Sequence, residues 1–242
     1  CDTLIKAEAG RSFLRGGGDC HIDLPGLEAA RVGHLVTAVC VGFSPSRMEM
    51  REIWDRAVEN WNAFSTQVTG VNLHFALEGC MPLYLGWSPP AAPLAASLTW
   101  NGDNPYGSGI GGTGGLTSLG RALALSLHRD GTRIDVSHLN DTSRREILSM
   151  GLPVCATHCN ARRLCDSPRN LPDDDIREIA AMGGVIGITM VPHFLRDSGA
   201  GADIAAVADH LEHVAEVGGV DSVRIGSDFD GVETLPEGMG GV

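Results

Sequence analysis

Short apolar runs alternate with stretches of helical periodicity along the whole chain. Runs near 1–4, 34–42, 71–77, 94–99, 132–137, 153–157, 184–190 and 222–227 read as strands. The run Val185-Ile186-Gly187-Ile188-Thr189-Met190-Val191 is continuous rather than alternating, which suits a parallel strand buried on both faces. Met50, Ile53, Trp54, Ala57 and Trp61 recur at helical spacing within 46–65, and further helices are predicted over 117–129, 141–150, 173–182 and 202–217. Each opens near Ser, Thr or Asp and most close on Gly. At Leu171-Pro172-Asp173 the Asp side chains are expected to cap the helix and meet its dipole favourably. Strand and helix in repeated alternation predict an α/β fold, a (β/α)8 TIM-like barrel forming one domain over 1–242. Two stretches interrupt the pattern. Pro89, Pro90 and Pro93 leave the helix expected there short or missing, and the Gly- and Asn-rich residues 101–116 read as a long loop at the barrel mouth.

Three of these strands run into a polar side chain. His138 follows Asp135-Val136-Ser137, His158 follows Cys155-Ala156-Thr157, and Asp228 follows Ile225-Gly226-Ser227. The carboxyl ends of barrel strands are where such folds build active sites. Either histidine alone reads equally as an ordinary core side chain. Two at consecutive strand ends point to metal ligands, since neutral imidazole is a common zinc ligand. Asp228 lies where a carboxylate can hold a metal-associated water and take its proton, although Asp228-Phe229-Asp230-Gly231 also reads as an ordinary turn. Glu78, ending Val71–Leu77, can bridge metals or act as a base, and is by itself a weak signal. Cys155, His158, Cys159 and Cys165 match no common zinc-knuckle spacing.

Composition narrows the partners. With 18 Lys+Arg against 30 Asp+Glu the formal charge is −12, and no basic run is present, which argues against nucleic acid or an anionic membrane surface. No apolar run approaches the ~18 residues of a membrane-spanning helix. The seven cysteines form no regular framework and read as free thiols of a reducing compartment, so a cytoplasmic location is expected. The chain opens at Cys1 without methionine, so its true N-terminus is expected to lie upstream.

The motifs together resemble the membrane (renal-type) dipeptidase family, peptidase family M19, in a bacterial-like form. They are Asp135-Val136-Ser137-His138-Leu139, Thr157-His158-Cys159-Asn160-Ala161-Arg162, Cys165-Asp166-Ser167-Pro168-Arg169-Asn170-Leu171-Pro172-Asp173, Gly183-Gly184-Val185-Ile186-Gly187 and Gly226-Ser227-Asp228-Phe229-Asp230-Gly231. In the first half Leu77-Glu78-Gly79 and Gly115-Leu116-Thr117 match more loosely. The resemblance implies a barrel of the metal-dependent amidohydrolase type with two Zn2+ per chain that hydrolyses dipeptides. It implies that Glu78 bridges both zincs and that His138 and His158 complete the second. It assigns Arg169 to the substrate carboxylate, for which a planar guanidinium is suited, and Asp228 to the proton of the attacking water. For the first metal, Cys1-Asp2-Thr3-Leu4 resembles the family's opening His-Cys-Asp-Thr-Leu. That makes Asp2 the ligand, its histidine partner the residue before Cys1, and His21-Ile22-Asp23 a separate motif.

Two departures qualify this. Leu98-Thr99 is followed by Trp100, where many family members carry a substrate-contacting histidine. The chain also stops soon after Asp230, so a piece of a longer enzyme, truncated at both ends and incomplete at its C-terminus, is expected. The expected partner is a dipeptide, with a homodimer as the assembly considered. Two rivals stay open: a catalytically impaired relative kept as a binding or scaffold protein, and an amidohydrolase acting on a non-peptide amide or lactone. The second would not need Arg169.

Overall fold

The apolar runs form seven parallel strands among the described residues: β1 (His34–Val39), β2 (Asn72–Glu78), β3 (Ala95–Ser97), β4 (Arg133–Asp135), β5 (Val154–Cys155), β6 (Ile186–Ile188) and β7 (Val223–Ile225). The computed structural model describes residues 2–6, 13–17, 20–42 and 46–241, so Cys1 lies outside them. β1 to β5 are hydrogen-bonded in chain order, β6 pairs with β7, and a parallel bridge from Ala156 to Ile186 joins the two groups. Strands laid side by side in sequence order, each parallel to the last, form the wall of an α/β barrel. Among the described residues nine α-helices precede β1 or lie between the strands: α1 (Thr3–Lys6), α2 (Leu24–Ala29), α3 (Arg47–Gln67), α4 (Met81–Tyr84), α5 (Ser118–Arg129), α6 (Asp141–Ser149), α7 (Asp173–Ala181), α8 (Pro192–Leu195) and α9 (Ile204–Gly218).

Each long helix starts for a local reason. Ser46, Thr117, Asn140 and Asp203 lie just before α3, α5, α6 and α9, and each accepts a hydrogen bond from a backbone N–H of the first turn. Helix α7 departs from expectation, because Pro172 takes the cap position and offers no side-chain acceptor. Its acidic residues sit in the first turn instead, where Asp175 is buried and receives Arg144 Nε at 2.6 Å. Helix α3 buries Trp54, Ala57, Trp61 and Phe64; the Trp54 and Trp61 rings meet Phe75 of β2, the latter with ring centres 5.3 Å apart, and Phe64 packs on Phe13.

The strand expected near 1–4 is a correction: Thr3–Lys6 is a helical turn. Three apolar positions cannot separate a strand from one turn of helix. The carbonyl of Asp2 accepts the N–H groups of Ile5 and Lys6, and Leu4 is buried and held by Asn60 through its carbonyl. Asp2 still occupies a strand-end place, because its N–H bonds the carbonyl of Phe229 beyond β7 while α1 packs on β1 and α3. The proline-rich stretch after β2 holds only the four-residue α4, and residues 101–116 form a loop stitched by bridges Asn104–Gly107 and Gly109–Leu139.

Between β5 and β7 the wall is unusually close. A Cβ on Gly187 or Gly226 would lie 2.1 or 1.9 Å from the carbonyl oxygen of Thr157, so only glycine fits at either position. That contact fixes the residue immediately before His158.

Candidate metal centre

Strand ends deliver the side chains. Glu78 is the last residue of β2, and His138, His158 and Asp228 each lie three residues beyond the last residue of β4, β5 and β7. Glu78, His138 and His158 are buried, and their ligand atoms all fall within 4.8 Å of one another. Nε2 of His138 is 2.8 Å from Nε2 of His158 and 2.9 Å from Glu78 Oε1.

The outer partners of the imidazoles assign their protons. His138 Nδ1–H donates to Asn101 Oδ1 at 2.9 Å. Thr157 Oγ1–H donates to Asp135 Oδ2 at 2.5 Å, leaving its oxygen to accept His158 Nδ1–H at 2.7 Å. Both neutral rings therefore turn an unprotonated Nε2 inward. Two nitrogen lone pairs and a carboxylate oxygen face each other, with the Arg169 NH2 group 3.3 Å from His138 Nε2, and a metal cation suits the same three acceptors. Burial keeps the rings in this form. It pushes the His138 pKa down to about 3, with the Arg169 cation adding to the effect, and burial likewise lowers that of His158. Neutral imidazole with its far nitrogen anchored by a polar partner is the usual form of a metal ligand.

A second acidic group adjoins this one. A Cβ on Gly231 would lie 2.5 Å from Asp2 Oδ2 and 2.6 Å from Asp228 Oδ1, so these carboxylates are close neighbours. Asp2 Oδ1 is buried without a hydrogen-bond partner. Burial, then the negative charges of Glu78 and Asp228, raise the Asp2 pKa well above the ordinary carboxylate value. An orphaned buried carboxylate oxygen beside more acidic groups again fits a cation. Asp228 itself adopts φ 59°, a left-handed conformation that Asp tolerates better than most residues.

A cavity of about 500 Å³ opens over these groups, lined by Asp2, Glu78, Trp100, His138, Arg169 and Asp228 among others. Arg169 enters it from the segment before α7, its guanidinium 5.3 Å from the Phe194 ring centre and hydrogen-bonded to the Ser137 carbonyl. Trp100 lies 6.2 Å from the His138 ring and fills the space left by Gly42 and Gly79, where a Cβ would come within 3.2 Å of it. The Cys40 thiol lines the same cavity, but burial and Glu78 push its pKa up, which disfavours a thiolate.

Thus the structure brings together all six sequence-predicted site residues: Asp2, Glu78, His138, His158, Arg169 and Asp228. Other candidates have other work. Asp230 accepts Thr3 Oγ1 at 2.6 Å and the His21 N–H at 2.7 Å, tying the two ends of the chain. Asp23 caps α2. Cys155, Cys159 and Cys165 are buried free thiols outside the donor group.

Sequence reading missed Asn101 and Asp135, the polar anchors of the two histidines, and His210. Asp135 had a signal, a carboxylate at the end of a buried strand; Asn101 in its loop had none. His210, on α9, accepts the Ala161 N–H at Nδ1 (3.1 Å) and donates from Nε2 to the Leu195 carbonyl (3.0 Å), pinning the segment after His158. Burial lowers its pKa. An unfolded imidazole takes its proton near pH ~6.5 and the folded one only below that. The unfolded state thus binds more protons on acidification, so this contribution to stability is complete above pH ~6.5 and is lost below it. Replacing His210 with Gln is expected to flatten part of the fall in urea midpoint between about pH 7 and 5. An unchanged slope would remove the assignment.

A parallel α/β wall with buried His and carboxylate donors at its strand ends is an α/β barrel with a candidate metal centre. Comparison with known proteins gives the family. The model described as membrane dipeptidase (peptidase family M19) matches residues 94–242, and the chain belongs to that family. A Klebsiella pneumoniae relative, "Uncharacterized protein in pqqA 5′region", is 37% identical over 155 residues, covering 59% of this chain and 57% of its own. Dipeptidase 3 of Macaca fascicularis is 35% identical over 126 residues, 52% of this chain and 26% of its own. The chain therefore spans little more than half, or about a quarter, of these relatives. A solved family M19 metallopeptidase, dipeptidase AC, superposes with a TM-score of 0.79 at 24% identity over 94% of this chain and 80% of its own. A Rhodobacter sphaeroides metallopeptidase liganded with a phosphinate mimic of L-Ala-D-Ala does so at 0.71 and 24%, over 94% and 82%. Both likenesses support the barrel fold. No helix of the described residues is long and apolar enough to cross a membrane.

Proposed function

We infer that the protein is a metal-dependent dipeptidase whose centre takes two zinc ions. The observation carrying this reading is the inward-facing trio of His138 Nε2, His158 Nε2 and Glu78 Oε1, with the imidazole protons turned outward to Asn101 and Thr157. Those three residues would hold one ion, and Asp2 with Glu78 would contribute to the other. Bound there, zinc supplies Lewis acidity towards the scissile carbonyl and lowers the pKa of the attacking water.

The chain's own residues do the rest. Arg169, already within the cavity, takes the carboxylate end of the substrate in a planar two-bond pair. Arg169 NH2 stands 3.3 Å from His138 Nε2, so taking the substrate carboxylate requires the guanidinium to turn away from that ring. Asp228, half-buried beside Asp2, accepts the proton of the attacking water and returns it to the leaving amine. Trp100 walls the cavity next to His138 and helps to exclude solvent.

The experiment is to load the protein with zinc and assay L,L- and L,D-dipeptides against their C-terminal amides. Including L,D substrates follows the L-Ala-D-Ala mimic held by the Rhodobacter metallopeptidase. Hydrolysis of free dipeptides, with a rise in KM of about 100-fold or more in Arg169→Gln, is the expected result. An inert protein would sink the activity. Equal turnover of the amides would instead favour a non-peptide amidohydrolase with no use for Arg169.

A further inference from the structure

The segment that carries Arg169 is held by another arginine. Arg162 Nε donates to the carbonyl of Asn170 at 2.9 Å and its NH2 to the carbonyl of Pro168 at 2.9 Å. These are the two carbonyls flanking Arg169. The remaining donors of the same guanidinium pair with Asp141, NH1 to Oδ2 and NH2 to Oδ1, each at 2.8 Å. One planar group thus spans a carboxylate on one side and, on the other, the carbonyls of the residues before and after Arg169. The Asp141 carboxylate is fixed in turn: Arg144 NH2 lies 2.5 Å from it, and Arg144 Nε is 2.6 Å from the fully buried Asp175. The chain of contacts runs from α7 through α6 to the loop.

The loop is also held by contacts other than this clamp. Asn170, fully buried, already bonds the carbonyls of Cys165 and Phe194, and Leu171 pairs with Asn160 and Arg162 through the main chain. What the clamp adds is a fixed orientation of the Pro168–Arg169 and Asn170–Leu171 peptide units that bracket this residue, and therefore of the direction the Arg169 side chain leaves the loop. Misplacing a binding group by ~1 Å can cost ~100-fold in rate.

We propose that Arg162, braced by Asp141, is the positioning residue that aims Arg169 at the substrate carboxylate. This rests on the reading of Arg169 given above. Lysine cannot replace Arg162, because a single ammonium does not reach a carboxylate and two carbonyls in one plane.

The test compares zinc-loaded wild type, Arg162→Lys, Asp141→Asn and Arg169→Gln. It measures kcat and KM on a free dipeptide, zinc per chain, and hydrogen exchange at the amides of Arg169 and Asn170. Both amides are hydrogen-bonded within the loop, to Ser167. The expected result is a rise in KM of about 10-fold or more in Arg162→Lys, with kcat within about 2-fold and zinc unchanged. Faster exchange at those two amides, in Arg162→Lys and in Asp141→Asn, is expected with it. A merely structural role predicts a loss of zinc or of folded protein, not a change confined to KM. If Arg169→Gln raises KM and Arg162→Lys does not, the positioning role is wrong while the reading of Arg169 stands. If Arg169→Gln leaves KM unaltered, that reading fails and the proposal falls with it. Unaltered exchange in both clamp variants overturns the clamp whatever the kinetics.

Discussion

Replacing His158 with alanine is expected to leave the protein folded but to strip zinc from its site and lower kcat/KM by on the order of 1,000-fold. Partners one layer out, such as the Thr157 hydroxyl, typically cost ~10–100-fold. Loss of the ligand itself exceeds that, because the remaining Glu78 and His138 no longer surround the ion. The ring is buried, so a cavity of imidazole size remains, and loss of a few kcal/mol of stability is expected beside the loss of metal. Metal per chain, measured after dialysis and set against kcat/KM, checks the prediction. A variant that retains both full zinc and full activity would place the metal elsewhere in the barrel.

Asp228→Asn is expected to lower kcat by ~100- to 10,000-fold, the usual range for removal of a general base, with zinc content unchanged and KM altered only slightly. Asparagine suits this test. It is nearly isosteric, cannot take the proton, and tolerates the left-handed backbone at φ 59° that this position requires. Alanine there would mix a backbone penalty into the result. An unchanged kcat would show that another group moves the proton, and Asp2, whose carboxylate adjoins Asp228, would be the next to examine.

Much of this site was legible before any coordinates. Val- and Ile-rich runs announced the strands, and the polar residues beyond three of them pointed to His138, His158 and Asp228, because a parallel barrel brings its strand ends to one rim. Asp2, Glu78 and Arg169 were picked out chiefly by the family resemblance. Helix starts were equally plain where Ser46, Thr117, Asn140 or Asp203 supplied a local cap. Legibility failed where the deciding contact was distant in sequence. Thr3–Lys6 folds as a helical turn under the hold of Asn60 and Phe229. Asn101 anchors His138 across 37 positions from a loop with no pattern of its own, and His210 reaches Ala161 across 49. Arg162 stood within a recognised motif, yet only the folded loop shows that its side chain returns to the carbonyls around Arg169.

The tight contact of Gly187 and Gly226 with the Thr157 carbonyl has an evolutionary consequence. A wall in which neither position accepts a single added carbon cannot drift by ordinary point substitution. The same holds within the loop over 101–116, where a Cβ on Gly109 or Gly112 would lie 2.0 or 1.7 Å from a neighbouring oxygen. New pocket shapes, and with them new substrate preferences, have to arise at side chains that line the cavity, such as Trp100, rather than at these glycines.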